Sequence, residues 1–130
     1  TDANLEERIL FLGKKPFEDL PRLFQGMTVV AALSRNEGYG LTPLEGMASG
    51  AAVLTSSEGV WDELVRDGID GYVVKTNDVH QTSERLNTLI ENSSKTKIMG
   101  ENAAKYISEN FSVEKEARQI IQHIRYVQNI

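Results

Sequence analysis

Residues 28–55 read TVVAALSRNEGYGLTPLEGMASGAAVLT, in which two apolar runs enclose a polar segment that contains glycine and proline. The runs Thr28–Leu33 and Ala51–Thr55 are short and almost wholly apolar, which is typical of buried strands in a parallel sheet. Between them, Thr42-Pro43 is typical of an N-cap followed by the first position of a helix, and Gly50 marks the end of that helix. The segment therefore predicts a strand, a loop, a short helix and a second parallel strand.

Strands and helices also alternate on both sides of this segment. Ile9–Leu12 and Tyr72–Val74 are further short apolar runs, so we predict an α/β fold with a Rossmann-like parallel sheet of about four strands, flanked by helices. Pro21 is expected to shorten or kink the first helix. The predicted helices lie at about 16–24, Pro43–Ser49, Val60–Val65, His80–Glu91, Lys95–Asn110 and Val113–Gln128.

Composition and charge limit the classes of function. With 130 residues, 40% of them hydrophobic and 25% charged, the chain is long enough for one domain with a core. It has no cysteine for a disulfide or a thiolate metal site, its two histidines lie far apart, and its formal charge of -5 argues against nucleic-acid binding. We therefore expect no metal, no cofactor and no nucleic-acid partner. A cytoplasmic location is expected, since the chain has no cysteine.

The loop before the short helix is suited to binding an anion. Gly38 and Gly40 allow the backbone to approach a ligand closely. The free amides of Gly40, Leu41 and Thr42 converge at the start of the helix, where the positive end of the helix dipole lies, so they can bind a diphosphate.

Two carboxylates flank these amides. Glu45, one turn into the helix, would be repelled by a phosphate and is better suited to accepting hydrogen bonds from neutral hydroxyls such as a ribose diol. Glu37 would lie across the loop, near a sugar. An alternative is that Thr42 and Glu45 form a capping box, in which Glu45 only satisfies the backbone amide of Thr42.

Glu37 and Glu45, separated by seven residues, resemble the Glu-x7-Glu signature of GT-B glycosyltransferases, in particular of glycosyltransferase family 4 (glycosyl transferases group 1). The signature belongs to the nucleotide-sugar-binding lobe. The resemblance extends, in matching order and spacing, over Arg8–Gly13, Leu33-Ser34, Gly50–Thr55, Gly59, Glu63, Asp67-Gly68 and Gly71–Val74.

Three residues depart from the usual pattern of the family, namely Leu33, Gly46 and Ala52. None of them removes an expected ligand contact. Gly46 lies inside the short helix, which it is expected to weaken by about 1 kcal/mol relative to alanine.

The resemblance implies that residues 1–130 are a single partial domain, the C-terminal donor-binding lobe of a GT-B glycosyltransferase whose N-terminal lobe is missing. The intact protein is expected to transfer a hexose, with retention of configuration and without a metal, from a UDP-, GDP- or ADP-linked sugar to a glycan or lipid-linked acceptor. A longer protein of this kind would be cytoplasmic or peripheral to the membrane. The chain alone is expected to be catalytically inactive.

The same resemblance gives roles to individual residues. Glu37 is the expected catalytic residue, which orients the donor sugar or supports its positive charge during transfer. The expected donor- and nucleotide-binding residues are Gly38, Tyr39, Gly40, Leu41, Thr42, Glu45 and, through its main chain, Lys15. Tyr39 can also be interpreted as an anchor of the loop, and Lys15 as a solvated side chain.

Because carboxyl ends of parallel strands share one edge of a sheet, the loops after Leu12, Leu33 and Thr55 are expected to frame one pocket. Arg35 lies in the second of these loops but is left without a role. His80 and His123 lie outside the pocket, and a structural role is favoured for both.

Two alternatives to a transferase remain: a non-catalytic module that binds a nucleotide sugar, and a GT-B-like nucleotide-sugar epimerase. The last helix has an apolar stripe at Val113, Ala117, Ile120, Ile121, Ile124 and Val127. In the family such a helix crosses toward the N-terminal lobe. We therefore expect part of the stripe to be exposed in this chain and to support self-association.

Overall fold

Three parallel strands, β1 (Val29–Ala32), β2 (Ala52–Ser56) and β3 (Gly71–Val74), form the sheet in the computed structural model, which describes residues 6–128. The strand order is β1-β2-β3, and Val30 is aligned with Val53 while Leu54 is aligned with Tyr72. The central strand β2 is buried along its whole length, as expected for a parallel strand covered on both faces.

The helices lie close to their predicted positions. Short 3₁₀ turns occur at Glu6–Arg8 and Phe17–Asp19. The α-helices are α1 (Leu20–Gln25), α2 (Thr42–Ala48), α3 (Trp61–Leu64), α4 (Val79–Glu91), α5 (Ser93–Asn110) and α6 (Val113–Gln128). Within residues 6–128, no helix has both the length and the apolar character needed to cross a membrane.

Side chains on the two faces of the sheet form separate hydrophobic clusters. Val53 on β2 packs in a cluster with Met47 of α2 and Trp61 of α3. The neighbouring β2 residue Leu54 packs in the other cluster, with Leu89 of α4. The alternation along β2 therefore places helices on both faces of the sheet, which confirms the predicted α/β architecture.

The predicted strand Ile9–Leu12 is not formed, so the sheet has three strands rather than about four within the described residues. All four of these residues are exposed, and Phe11 retains 91% of its accessible surface. A strand needs a neighbour to satisfy its backbone hydrogen bonds, and apolar composition alone does not supply one. The prediction of this strand was therefore wrong.

Gly46 allows the short helix α2 to lie close to β1 of the sheet. A β-carbon at this position would lie 2.8 Å from Cγ2 and 2.9 Å from Cβ of Val30. Such distances are shorter than side-chain atoms tolerate, so the missing side chain allows α2 to approach β1. The sequence suggested only a cost in helix propensity, whereas the structure gives Gly46 a packing role.

Candidate functional site

The loop between β1 and α2 holds the Glu37 side chain against its own backbone. The Ser34 hydroxyl donates a hydrogen bond to the Glu37 carboxylate, with an Oγ–Oε2 distance of 3.1 Å. Gly40 has φ of 62°, and a β-carbon there would lie 2.8 Å from both Cγ and Cδ of Glu37. The left-handed backbone favours glycine at this position, and the absence of a β-carbon leaves room for the Glu37 side chain.

The start of α2 leaves its amides open. The N-cap position belongs to Leu41, and Thr42 is the first residue of the helix, so the prediction that Thr42 is the N-cap was wrong by one residue. No acceptor within residues 6–128 is recorded for the amides of Gly40, Leu41 and Thr42. The Leu41 and Thr42 side chains are exposed, so solvent reaches this end of the helix.

The shift of the N-cap bears on the capping-box alternative. The Leu41 side chain cannot accept a hydrogen bond, and no side-chain cap bond is formed at α2. The amide of Glu45 donates to the Leu41 carbonyl at 2.9 Å, while the half-buried Glu45 carboxylate has no partner recorded within residues 6–128. A capping role therefore does not account for the Glu45 side chain.

The loop after β2 packs against the loop after β1. The Ser56 hydroxyl donates to the Ser34 carbonyl at 2.6 Å. A β-carbon at Gly59 would lie 2.7 Å from the Gly38 carbonyl oxygen and 2.9 Å from that of Glu37. The loops after Leu33 and Thr55 thus meet at one edge, as predicted, whereas the loop after Leu12 follows no strand.

Glu45 also lines a groove between α1 and α2, which we call the α1–α2 groove. Its volume is about 230 Å³. Most of its wall is apolar, formed by Phe17, Leu20, Pro21 and Phe24. Glu45 is thus placed where a polar carboxylate meets an apolar surface.

The remaining candidate residues lie at the surface. Gly38, Tyr39 and Lys15 are exposed, and about half of the Tyr39 side chain is open to solvent. Their assignment to donor binding stays a prediction. His80 on α4 and His123 on α6 are exposed and line none of the described site. Among residues 6–128, no group of histidine, aspartate and glutamate side chains is placed to hold a metal ion.

One part of the same sheet edge was not predicted from the sequence. A cleft of about 220 Å³ lies at the ends of the three strands, with Arg35 on one side and the turn after β3, from Lys75 to Asp78, on the other. The buried Thr76 hydroxyl in this cleft has no hydrogen-bond partner within the part of the chain that the structure describes. The position of this turn directly after a predicted strand was the available signal.

The chain is similar in sequence to proteins of one known family. The family described as "Glycosyl transferases group 1" matches residues 1–106. The chain belongs to this family. A lipopolysaccharide core biosynthesis mannosyltransferase, LpcC, from Rhizobium leguminosarum bv. viciae is 41% identical over 118 residues, which are 91% of this chain and 33% of the relative.

Solved structures of the family share the fold. The Anabaena protein HepE, solved in complex with UDP, superposes with a TM-score of 0.85 at 30% identity and covers 94% of this chain, which spans 33% of HepE. The C-terminal domain of a glycosyl transferase group 1 protein (LpcC) from Francisella tularensis gives a TM-score of 0.70 at 28% identity, covering 81% of this chain and 53% of that domain structure. The chain spans about a third or less of the length of the curated relatives it matches.

Proposed function

We propose that this chain is the donor-binding lobe of a retaining glycosyltransferase that transfers a hexose from a nucleoside diphosphate sugar to a glycan or lipid-linked acceptor. The observation that carries the proposal is the position of Glu37: Ser34 holds its carboxylate over Gly40, beside the open amides at the start of α2. A carboxylate beside backbone amides suits sugar transfer, since negative charge develops on the leaving diphosphate and positive charge on the sugar.

The leaving group would be stabilised by backbone donors. The amides of Gly40, Leu41 and Thr42 would face the diphosphate oxygens, and their contribution would grow as the bond to the sugar breaks and charge accumulates there. These donors are fixed by the loop before the reaction begins, so little reorganisation is required during transfer. The main chain of Lys15 and the residue Tyr39 would border the same nucleotide sugar.

The two carboxylates would have different tasks. Glu45 lies three residues after Thr42, hence on the same side of α2, and would accept hydrogen bonds from the ribose hydroxyls. Glu37 would orient the donor sugar and support its developing positive charge. Neither role requires a metal or a cofactor.

The relatives support a nucleotide sugar as the donor. One of them is named a mannosyltransferase, and a solved relative contains UDP. We propose that an N-terminal lobe outside this chain supplies the acceptor site, so that this chain by itself binds donor but does not transfer sugar. A cytoplasmic location, with peripheral membrane association of the longer protein, stays a prediction.

Titration calorimetry tests the donor site. UDP, GDP, ADP and their hexose conjugates are titrated into the chain at millimolar concentration, and at least one nucleoside diphosphate is expected to bind. Glu45→Gln should weaken binding of the diphosphate by about tenfold, because hydrogen bonds to a charged acceptor contribute about 1.5–3 kcal/mol. Glu37→Gln should leave the diphosphate unaffected and weaken only the sugar conjugate.

A matched control separates these effects from a general change of charge. Glu101 is exposed on α5, so Glu101→Gln removes one carboxylate without touching the proposed site and should bind like the unchanged chain. Absence of binding for every nucleotide would contradict donor binding. Sugar transfer by the chain alone would contradict the predicted division of labour between two lobes.

The two alternatives differ from the transferase in what the longer protein does. An epimerase would convert the nucleotide sugar without an acceptor, and a binding module would leave it unchanged. Analysis of the sugar after incubation of the longer protein with a bound donor, with and without a lipid-linked glycan, distinguishes the three.

A further inference from the structure

The cleft at the ends of the three strands, which we call the strand-end cleft, is lined by two cations. Arg35 lies in the loop after β1 and Lys75 in the turn after β3. Both side chains are exposed, and neither forms an ion pair within residues 6–128. Asp78 is the only carboxylate among the described residues of the lining, and it already accepts a hydrogen bond from the Gln81 amide at 2.8 Å. Two cations against one carboxylate make the cleft suited to an anion, although the chain as a whole has a formal charge of -5.

The turn after β3 adds hydrogen-bond donors that have no acceptor. The Thr76 hydroxyl is buried and has no hydrogen-bond partner in the described part of the chain. Neither the Thr76 amide nor the Asn77 amide donates to an acceptor among residues 6–128. A buried hydroxyl without a partner is destabilising, so a ligand oxygen that accepts from it is favoured.

Asn77 holds this turn in a conformation that suits anion binding. Its φ is 64°, in the left-handed region that asparagine adopts more readily than most residues. The Asp78 amide donates to the Lys75 carbonyl at 3.0 Å, which closes the turn. Successive amides in turns can form a concave site for an anion. The turn therefore supplies neutral donors next to the charge of Lys75.

The strand-end cleft borders the loop that holds Glu37. The Ser56 hydroxyl lines the cleft and donates to the Ser34 carbonyl, while the Ser34 hydroxyl donates to the Glu37 carboxylate. Arg35 lies two residues before Glu37, so their Cα atoms are at most about 7 Å apart. The amides proposed for the diphosphate follow Glu37 in the chain and line no part of the cleft. The cleft is thus separate from the diphosphate site but adjacent to the proposed reaction centre.

The size and lining of the cleft favour an anion that is attached to a sugar. Its volume of about 220 Å³ is below the roughly 300–1,000 Å³ of sites that enclose a whole drug-sized molecule, so it fits one group of a larger ligand. Leu33, Val74 and Val79 give it apolar walls, which a bare ion does not use. The Asp78 carboxylate would repel a second anion but can accept hydrogen bonds from sugar hydroxyls.

We infer that the strand-end cleft binds an oxyanion, a phosphate or a carboxylate, that is carried by a sugar residue of the acceptor. This inference rests on the proposed function, because it takes Glu37 as the reaction centre. Arg35, Lys75 and Thr76 would hold the oxyanion, and Asp78 would accept a hydrogen bond from the sugar. The acceptor is thereby an anionic glycan, and the N-terminal lobe would bind the rest of it.

NMR on the labelled chain tests this inference with four probes at millimolar concentration: glucose 6-phosphate, glucuronate, inorganic phosphate and neutral glucose. A nucleoside diphosphate is added first, so that the amides of residues 40–42 are occupied. At least one of the two anionic sugars is then expected to shift the amides of Thr76 and Asn77, and the one that binds more tightly shows whether the group is a phosphate or a carboxylate. Inorganic phosphate should bind more weakly than that sugar, and neutral glucose should cause no shift.

Matched substitutions test which charges are involved. Arg35→Gln and Lys75→Gln should each weaken binding of the anionic sugar by about tenfold, because hydrogen bonds to charged groups are stronger than those between neutral groups. Thr76→Val removes the buried hydroxyl and should also weaken binding. Lys97→Gln removes the same charge as Lys75→Gln from an exposed position on α5 and should change nothing. Because these three charged side chains are exposed, the folded spectrum should be retained in their variants.

The outcomes separate this inference from the proposed function. If a nucleoside diphosphate shifts the amides of residues 40–42 while neither anionic sugar shifts Thr76 and Asn77, the acceptor subsite is overturned and the donor site stands. Inorganic phosphate that binds as tightly as the anionic sugars, or equal affinity of Lys75→Gln and Lys97→Gln, would also overturn it. If no nucleotide shifts any resonance, the proposed function fails, and the assignment of the cleft to an acceptor fails with it.

Discussion

At the scale of single residues, Gly59 determines where the Glu37 loop lies. Its backbone has φ of 66°, and the space in which a side chain would stand is taken by the carbonyl groups of Glu37 and Gly38. Gly68 has a similar φ of 75°, yet no atom lies within 4 Å of the place where its β-carbon would be. The two glycines thus share a backbone conformation but differ in what surrounds them.

We predict that Gly59→Ala moves the Glu37 loop whereas Gly68→Ala does not. Both variants should lose about 1–2 kcal/mol of stability from the left-handed backbone, but only Gly59→Ala should shift the amides of residues 37–42 in NMR spectra. Nucleotide affinity should fall by about tenfold in Gly59→Ala, because misplaced backbone amides form poor hydrogen bonds with the ligand. Equal affinity of the two variants would show that Gly59 does not position the loop.

A second residue-scale feature is the ion pair of Arg66 and Asp70, outside the proposed donor site. The Asp70 carboxylate is fully buried and accepts hydrogen bonds from Arg66 Nε at 2.7 Å and from a terminal guanidinium nitrogen at 2.6 Å. The guanidinium also lies 4.4 Å from the centre of the Tyr106 ring. The hydrogen bond to Asp70 raises the pKa of Arg66 above its usual value.

Asp70→Asn is expected to lower the free energy of unfolding by about 1–2 kcal/mol in urea denaturation. The effect should be moderate, because the Arg66 side chain is 42% exposed and water can solvate its charge. Glu109→Gln removes the acid of an exposed pair with Lys105, 4.0 Å apart, and should change stability by less than about 0.5 kcal/mol. Equal effects of both substitutions would contradict a stabilising role of the buried pair.

The pH dependence of this pair follows from the raised pKa of Arg66. A group whose pKa is higher in the folded state contributes its stability below the unfolded pKa and loses it only as the pH rises through the folded pKa. For Arg66 that loss lies in strongly alkaline solution. The stability difference between the unchanged chain and Asp70→Asn should therefore stay constant from about pH 7 to about pH 10.

At the scale of elements, two effects oppose each other at Gly46, where α2 packs against β1. Alanine would favour the helix by about 1 kcal/mol, but its β-carbon would meet the stiff Val30 side chain. We predict that Gly46→Ala destabilises the chain by about 1–2 kcal/mol, since overpacking in a core typically costs more than propensity returns. Thermal unfolding measures the change.

Ala48→Gly is the matched control for helix propensity in the same helix. Ala48 is exposed, so this change should cost about 1 kcal/mol from propensity with little change in core packing. A rise in stability for Gly46→Ala, with the expected loss for Ala48→Gly, would show that Val30 yields and that packing does not require glycine.

Most elements could be predicted from the sequence because their local patterns agree with their surroundings. Thr28–Leu33 and Ala51–Thr55 form strands at nearly the expected positions because each has a neighbour in the sheet. Ile9–Leu12 has an equally apolar pattern but no neighbour within the described residues, and pairing is not encoded in the pattern of one strand. The cap of α2 shifted by one residue because Leu41 already adopts a helical backbone.

The candidate site could be predicted only in part. Spacing along the chain suggested Glu37 and Glu45, since both lie next to one loop and one helix start. The contact of Glu37 with Gly40 and the groove beside Glu45 depend on how α1 and two loops pack, which no single segment specifies. Phe17 lies within the first predicted helix, at about 16–24, whereas the structure places it in a 3₁₀ turn and leaves its ring exposed.

At the scale of the whole molecule, α6 stands apart from the core. None of its residues is buried, although Ile120, Ile121, Ile124 and Val127 form part of one apolar stripe. Most of the stability of a helix in a protein comes from packing of its apolar face. The apolar face of α6 is therefore expected to gain from a partner surface. A second copy of the chain presents such a surface, since it carries the same stripe.

We predict that the chain self-associates through this stripe. Sedimentation should show a weight-average mass that rises with protein concentration. Ile124→Lys places a charge within the stripe, where association would remove it from water, so the mass should fall to that of the monomer. Gln122→Lys adds the same charge on the opposite side of α6 and should leave the mass unchanged. A monomer at every concentration for the unchanged chain, or an equal response of both variants, would show that α6 does not carry an interface.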